Sequence, residues 1–508
     1  MQRSDREIAK GGMLISIARI GSAILGFLNT LLLTRFLGGE IYGFYSRILA
    51  PSFFLTRSFS GLGEGQALMK YLPFYKSREE EALASKAFLV ALEFRLIVGF
   101  IFGFLIVVLS PEIASFLNVD SASLVRFNGL LVAFSVVSGI LLTTTIALQR
   151  ESLYLALLLG SRIVRIGLIL VLIVLLDIGV LGAILSIIAS YVMICFLALP
   201  WTFSHVKPMK LSVTDFLSTL RGLISFGLPA AMQVMMFGIS QEIPLVFLAS
   251  VGSNIENAIL RAASTYFIIV AGIVNAFGRA MIPRLGEDMP ESSRRAIVLR
   301  SMPFFSLISA GMGSLLMGLP KTFMGLLSPE LSIGMNVLRI MGFTMFLTSV
   351  TPLSSLAMIY GRKELLTIGI SSIMVSSFLS YLLRNMGPNY LSLSYIGSYS
   401  VLSVSLLVLA KRMGLSLKET KRGVLGSISS GIITALTLSA VDILIENLIL
   451  RLFIGLMLFS LVFPLTVVLF SKIKPDQMMR IIEILPLPRS LVQMLRKYLS
   501  TLFRLAHI

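Results

Sequence analysis

The chain has 508 residues, 56% of them apolar and only 13% charged, with 43 Lys+Arg against 25 Asp+Glu and a mean hydropathy of +0.92. Soluble domains carry roughly 25% charged residues, so a water-soluble globular protein is excluded and a bilayer is the solvent. One Cys and two His, His205 and His507, exclude an intramolecular disulfide and argue against a His-based metal site or a Cys-His or Ser-His nucleophile pair. The net charge of +18 sits in short loops beside apolar stretches. It is therefore a topology signal, and no nucleic-acid partner is expected.

A transmembrane helix needs about 20 predominantly apolar residues. Spans 1 to 6 are predicted at 12–34, 41–62, 87–109, 124–148, 153–176 and 179–202. Spans 7 to 12 follow at 222–250, 256–282, 301–325, 331–358, 365–384 and 389–410, and a final pair at 424–446 and 449–471. The expected fold is an all-α integral membrane protein of about 14 transmembrane helices. The first span is too long for the apolar region of a cleavable signal peptide, and no small-residue cleavage site follows it. Beyond Lys472, the leucines at 491, 495, 502 and 505 with Tyr498 oppose Arg496, Lys497 and Arg504. That pattern predicts an amphipathic cytoplasmic tail over 472–508, for the anionic leaflet or for a partner synthase.

Cations sort by side. Loops and tails on the amino-terminal side hold 29 Lys and Arg, and the opposite side only Arg35, Lys321, Arg384 and Arg451. The positive-inside rule then puts both termini in the cytoplasm.

The chain also repeats itself. LSPEIASFLNV at 109–119 recurs as LSPELSIGMNV at 327–337, six of eleven positions identical at an offset of 218. Pro73 and Pro283, Arg47 and Arg261, and Arg150 and Arg362 fall at similar offsets, 210 to 214. Six spans per copy is even, so the copies share an orientation, as in transporters built from parallel repeats with a substrate site between lobes. The expected domains are an amino-terminal lobe, 1–210, a carboxy-terminal lobe, 211–420, helices 13 and 14 within 421–471, and the tail.

Ten cations remain inside the spans, and all are arginine: Arg19, Arg47, Arg57, Arg95, Arg126, Arg162, Arg165, Arg261, Arg279 and Arg339. Each costs about 2.5–3.5 kcal/mol at a helix centre on insertion scales, so many must face protein or water. Arg57, Arg126, Arg279 and Arg339 lie near span ends, where snorkelling to the headgroups accounts for them equally well. Arg162 and Arg165 are deep in span 5 and three residues apart, on one helical face that should line a cavity. Arg95 is either another such residue or half of an ion pair with Glu93. A guanidinium offers a planar fork of donors that fits phosphate oxygens and keeps its charge when desolvated. The expected ligand is a phosphate or diphosphate. Glu93 and Glu242 are the two acids clearly inside, and they are the candidates for Na⁺ or H⁺ coupling; no cofactor and no metal are expected.

RFLGGEIYGFYS at 35–46, GLGEGQALMKYLPFY after span 2, ISFGLPAAMQ entering span 7, RAMIPRLGE leaving span 8 and YGRKEL after span 10 carry a resemblance that covers about the whole chain. The sequence resembles the polysaccharide-exporter and lipid-linked oligosaccharide flippase branch of the multidrug/oligosaccharidyl-lipid/polysaccharide (MOP) superfamily. The resemblance implies a plasma-membrane protein that moves a polyprenyl-phosphate- or polyprenyl-diphosphate-linked saccharide from the cytoplasmic to the outer leaflet, without covalent chemistry, alongside a glycan polymerase or glycosyltransferase. In the related lipid II flippases, arginines on spans 1, 2 and 8 line a cationic cavity. Those spans here carry Arg19, Arg47 with Arg57, and Arg261. With Arg162 and Arg165 these are the candidate phosphate-binding residues. Family members often carry an acid late in span 7, where this chain has Gln241 and Glu242. The rival function is a cation-coupled multidrug antiporter of the same superfamily. An enzyme is disfavoured by loops of about 25 residues at most, with no Asp-x-Asp motif or metal-ligand cluster.

Overall fold

The computed structural model describes residues 2–58, 61–206, 209–286, 290–360, 363–416, 418–471 and 493, so all but Gln493 of the expected amphipathic tail lies outside the described residues. No strand occurs among them. The helices are α1 (Gln2–Ser58), α2 (Glu64–Ser77), α3 (Glu81–Val108), α4 (Ser110–Phe116), α5 (Ala122–Ala147), α6 (Glu151–Ile169), α7 (Gly179–His205), α8 (Val213–Val251) and α9 (Asn254–Gly286). Then come α10 (Glu291–Gly318), α11 (Pro320–Leu327), α12 (Met335–Leu347), α13 (Thr351–Ile359), α14 (Glu364–Leu383), α15 (Pro388–Leu391), α16 (Leu393–Arg412), α17 (Lys418–Leu444) and α18 (Leu448–Ser471).

Among the described residues, 12 helices are long and apolar enough to cross a membrane. The first of these, Ile17–Ser58, has 42 residues, about twice what one crossing needs. It holds spans 1 and 2 on either side of Gly38, whose φ of 78° breaks the helix. Only glycine takes that conformation without a steric penalty. Span 7 lies in α8, with Gly238–Val251 as its apolar part. Each of the fourteen expected spans thus falls on a helix among the described residues, with span 2 ending at Ser58.

The chain forms two compact units, 1–261 with 362–394 and 262–361 with 395–508. They differ from the contiguous halves because α8, the first helix after residue 210, packs on α1, α2 and α3, and α14 packs on α8. One contact explains how closely α8 approaches the first six spans. A methyl on Gly227 would stand 1.8 Å from the carbonyl oxygen of Gly63, so two glycines bring backbone against backbone in the GLGEG and SFGLP segments. In the second unit, α10 packs on α12 and α17, and α17 on α18. Buried Asp442 on α17 accepts hydrogen bonds from Lys321 N (2.8 Å), Thr322 N (3.0 Å) and Thr322 Oγ1 (2.6 Å), and Arg451 on α18 donates to its carbonyl (3.2 Å). A carboxylate on the positive end of α11 thereby ties the last helix pair to its unit.

The duplication is visible in the packing. Gly103 on α3 meets Gly129 on α5 so closely that a methyl on either would lie 2.5–2.7 Å from the other's carbonyl oxygen; Gly313 on α10 and Gly342 on α12 make the same approach at 2.8–3.0 Å. These pairs are related by offsets of 210 and 213, and Arg126 and Arg339 by 213. The 8 residues of α11 have no counterpart before the first Ser-Pro-Glu, which raises the offset to 218 there. Gly103→Ala and Gly313→Ala should each destabilise the protein by about 1–3 kcal/mol, whereas Gly26→Ala and Gly139→Ala, with open space around them, should not. Thermal unfolding in one detergent checks this, and equal melting of all four variants would contradict it.

Candidate functional site

All six candidate arginines lie in the first unit: Arg19, Arg47 and Arg57 on α1, Arg162 and Arg165 on α6, and Arg261 on α9. The helical period puts Ser46, Phe53 and Arg57 on one face of α1, seven and four residues apart. That face meets Gln241 and Glu242 of α8 and Arg261 of α9.

Glu242 is fully buried, and two arginines converge on it. Arg261 donates through Nη1 to Oε1 (3.3 Å) and through Nη2 to Oε2 (3.1 Å), a two-point pair. Arg57 Nε reaches the same Oε1 at 3.0 Å, and its Nη1 donates to Gln241 Oε1 at 3.0 Å. Arg261 is held from behind as well: Nε donates to Ser46 Oγ (3.2 Å) and the guanidinium stacks over Phe53 at 5.1 Å. Arg261 is almost fully enclosed, whereas the Arg57 side chain is 32% exposed, so Arg57 presents the open side of the cluster. Two cations sharing one anion leave a net charge of +1.

The other candidates divide. Arg47 donates through Nε to Ala249 O (2.8 Å) and through Nη1 to Asn254 Oδ1 (3.2 Å), clasping the α8–α9 turn, where a cation also suits the negative end of α8. Arg165 Nη2 donates to Tyr45 Oη (2.9 Å) and Arg162 Nε to Ser22 Oγ (3.2 Å), so both rest on α1. Arg19 is half-buried, with its Nε lacking an acceptor. Tyr45 and Ser46 are consecutive, one bonded to Arg165 and the other to Arg261, so the α6 and α9 arginines flank a single turn of α1. Tyr45, Ser46, Ser22 and Phe53 were not singled out from the sequence; the polar pair beside Arg47 in FYSR is the signal that could have found two of them.

Arg95 and the two expected coupling acids need separate treatment. The Arg95 partner is Glu64 at the start of α2, both buried, and not Glu93, which is exposed on α3. Residues two apart on a helix point to different sides, so Glu93 and Arg95 cannot share a face. Arg126 donates to Ser110 Oγ (3.2 Å), Arg339 to Asn336 Oδ1 (3.3 Å), and the Arg279 side chain lies outside the described ones. Among the described residues, no three His, Cys, Asp or Glu gather to hold a metal ion. Outside the spans, hydrogen bonds from Lys86 and from Ser212 hold Asp215 below the usual carboxylate range. A depressed pKa in the fold means this tie is complete above the unfolded value of about 3.9 and is lost as pH falls through the folded one.

A family model described as "Polysaccharide biosynthesis protein" matches residues 8–289, more than half of the chain. The chain belongs to that family. Its fold is similar to a structure titled "Lipid II flippase MurJ, inward closed conformation", with a TM-score of 0.70 at 15% identity over 91% of this chain and 99% of that one. It is similar to the eukaryotic MATE transporter AtDTX14, with a TM-score of 0.61 at 16% identity over 83% and 99% of the two chains. A MOP superfamily transporter from Pyrococcus furiosus, in a structure whose title speaks of a binding pocket of reversed polarity, matches with a TM-score of 0.54 at 15% identity over 84% and 96%. Comparison with curated proteins gives no match. At these identities the likeness to solved structures is one of fold. With 12 helices among the described residues long and apolar enough to cross a membrane, this family member is a multi-pass membrane protein.

The Glu64–Arg95 pair yields a direct check on the reassignment of Glu93. Removing one member of a buried pair costs about 3–5 kcal/mol because the other charge is stranded, so Glu64→Ala should lower the unfolding temperature markedly and Glu93→Gln should not. Destabilisation by Glu93→Gln with a neutral Glu64→Ala would restore the local pairing.

Proposed function

We propose that the protein is a flippase that carries a polyprenyl-phosphate- or polyprenyl-diphosphate-linked saccharide from the cytoplasmic to the outer leaflet of the plasma membrane, with both termini in the cytoplasm. The observation that carries this reading is the convergence of Arg57 and Arg261 on the single carboxylate of Glu242. Two forks aimed at one buried oxyanion form a site that a phosphate fits in two-point fashion. Glu242 occupies the place of that phosphate, and the more exposed Arg57 is where an incoming headgroup makes first contact.

Magnitudes support this. An Arg–phosphate contact at about 4 Å is worth roughly 4 kcal/mol at an effective dielectric near 20, before desolvation is subtracted. Two such contacts hold a charged headgroup away from water while the prenyl chain stays in lipid. The two six-span lobes, 1–210 and 211–420, exchange access between the two sides of the membrane, as in transporters made of parallel repeats. Arg57 comes from the first repeat and Glu242 and Arg261 from the second, so the anion site joins elements of both. Glycan polymerases or glycosyltransferases are the partners that would supply or consume such a lipid.

A cation-coupled antiporter needs a buried acid open to an ion. Glu242 is buried but is engaged by two guanidinium groups, which disfavours a cation beside it. The test is leaflet accessibility of a fluorescent polyprenyl-diphosphate oligosaccharide in proteoliposomes. Wild type moves the probe, and Arg57→Ala and Arg261→Ala, inserted normally, slow it by about 10- to 100-fold, since a hydrogen bond to a charged group is worth about 1.5–3 kcal/mol. Absence of movement in wild type, or unchanged movement in both variants, would contradict the reading.

A further inference from the structure

Arg162 and Arg165 form a cationic cluster of a different kind. They stand one helical turn apart on α6, on one face, and the polar atoms they reach, Ser22 Oγ and Tyr45 Oη, are neutral. Arg165 is buried, and its Nε has no acceptor. Arg19 lies three residues before Ser22 on the same face of α1, and its buried Nε also has no acceptor. Helices α1 and α6 are in contact at this level, where a methyl on Gly21 would stand 3.0 Å from Leu159. Glu242 offsets one of the two charges of the Arg57 and Arg261 cluster, but among the described residues no carboxylate pairs with Arg162 or Arg165. Buried guanidinium groups with unmet donors are the complement of an oxyanion.

We infer that Arg162 and Arg165, with Arg19 on the facing helix, form a second anion station that takes a second acidic group of the carried molecule, apart from the group held at Arg57 and Arg261. The inference rests on the flippase reading for the identity of that molecule. The shared chemistry is an oxyanion, either the second phosphate of a diphosphate linkage or the carboxylate of an acidic sugar. Tyr45 and Ser46 are consecutive on α1 and point to neighbouring sides of one turn, one bonded to Arg165 and the other to Arg261, so the two stations flank that turn. A headgroup whose two negative groups are far enough apart to round that turn bridges both. A headgroup with one negative group fills the first station alone.

The test is equilibrium binding, in nanodiscs, of three fluorescent probes on one polyprenol: a monophosphate with a neutral sugar, a diphosphate with the same sugar, and a monophosphate with glucuronic acid. Wild type should bind at least one of the two-acid probes about tenfold or more tighter than the one-acid probe, and the double variant Arg162→Gln, Arg165→Gln should erase that preference while leaving the one-acid probe within about twofold. Loss confined to the diphosphate assigns the station to the second phosphate, and loss confined to the glucuronate assigns it to the sugar. Wild type without a preference, an equal loss on all three probes, or no loss on any overturns the inference. Should the double variant fail to insert, the single variant Arg162→Gln removes one cation and keeps Arg165 on Tyr45, and the preference must still shrink. Movement of the one-acid probe in proteoliposomes reports separately on the flippase reading. Failed movement with the binding preference intact sinks that reading and leaves the station, and the converse result does the reverse.

Discussion

A guanidinium group taken out of water keeps its proton and must find an anion or a set of acceptors. The first unit of this protein is organised around that requirement. Arg95 meets Glu64, Arg47 meets the carbonyl end of α8, and Arg57 and Arg261 divide one carboxylate between them. Among the described residues, Arg162 and Arg165 meet neutral oxygens, and the Nε of Arg19 has no acceptor. The interior thus grades from fully compensated charge, which is structural, to uncompensated charge, which is where a ligand's charge is worth most.

Close backbone contact makes the arrangement possible. Gly63 against Gly227 seats α8 on the first six spans and so delivers Glu242 to Arg57. The Gly103–Gly129 and Gly313–Gly342 contacts set the spacing of equivalent helices in the two repeats. Without a hydrophobic force between helices in lipid, small residues and buried polar ties such as Asp442 on the start of α11 supply the cohesion.

Much of this was legible in the sequence because a bilayer leaves a helix few choices. Apolar runs located every span, and the Ser-Pro-Glu repeat disclosed the duplication. Two features escaped for physical reasons. The helical break between spans 1 and 2 is a single residue, Gly38, so a wider loop was expected where the helix resumes almost at once. Arg95 read either as a cavity-facing residue or as half of an ion pair with Glu93, yet its partner Glu64 lies 31 residues away, since adjacency along a helix is not adjacency in space. Arg57 read as a residue that could snorkel from a span end, and only tertiary packing shows it beside Glu242, whose position late in span 7 gave no hint of its partners. The lesson is that type and depth of a buried charge are readable from sequence, whereas its counter-ion is not.

The central claim is that Glu242 holds the place of the substrate's phosphate. The most direct measurement is the affinity of a fluorescent polyprenyl monophosphate for wild type and Glu242→Gln in nanodiscs, with thermal unfolding to confirm the fold. Glutamine keeps the shape and an acceptor but removes the competing charge, so binding should tighten by about tenfold, the equivalent of roughly 1.4 kcal/mol. Unchanged or weaker binding by a folded Glu242→Gln variant would contradict the account and leave the Arg57–Glu242–Arg261 cluster as a structural ion pair.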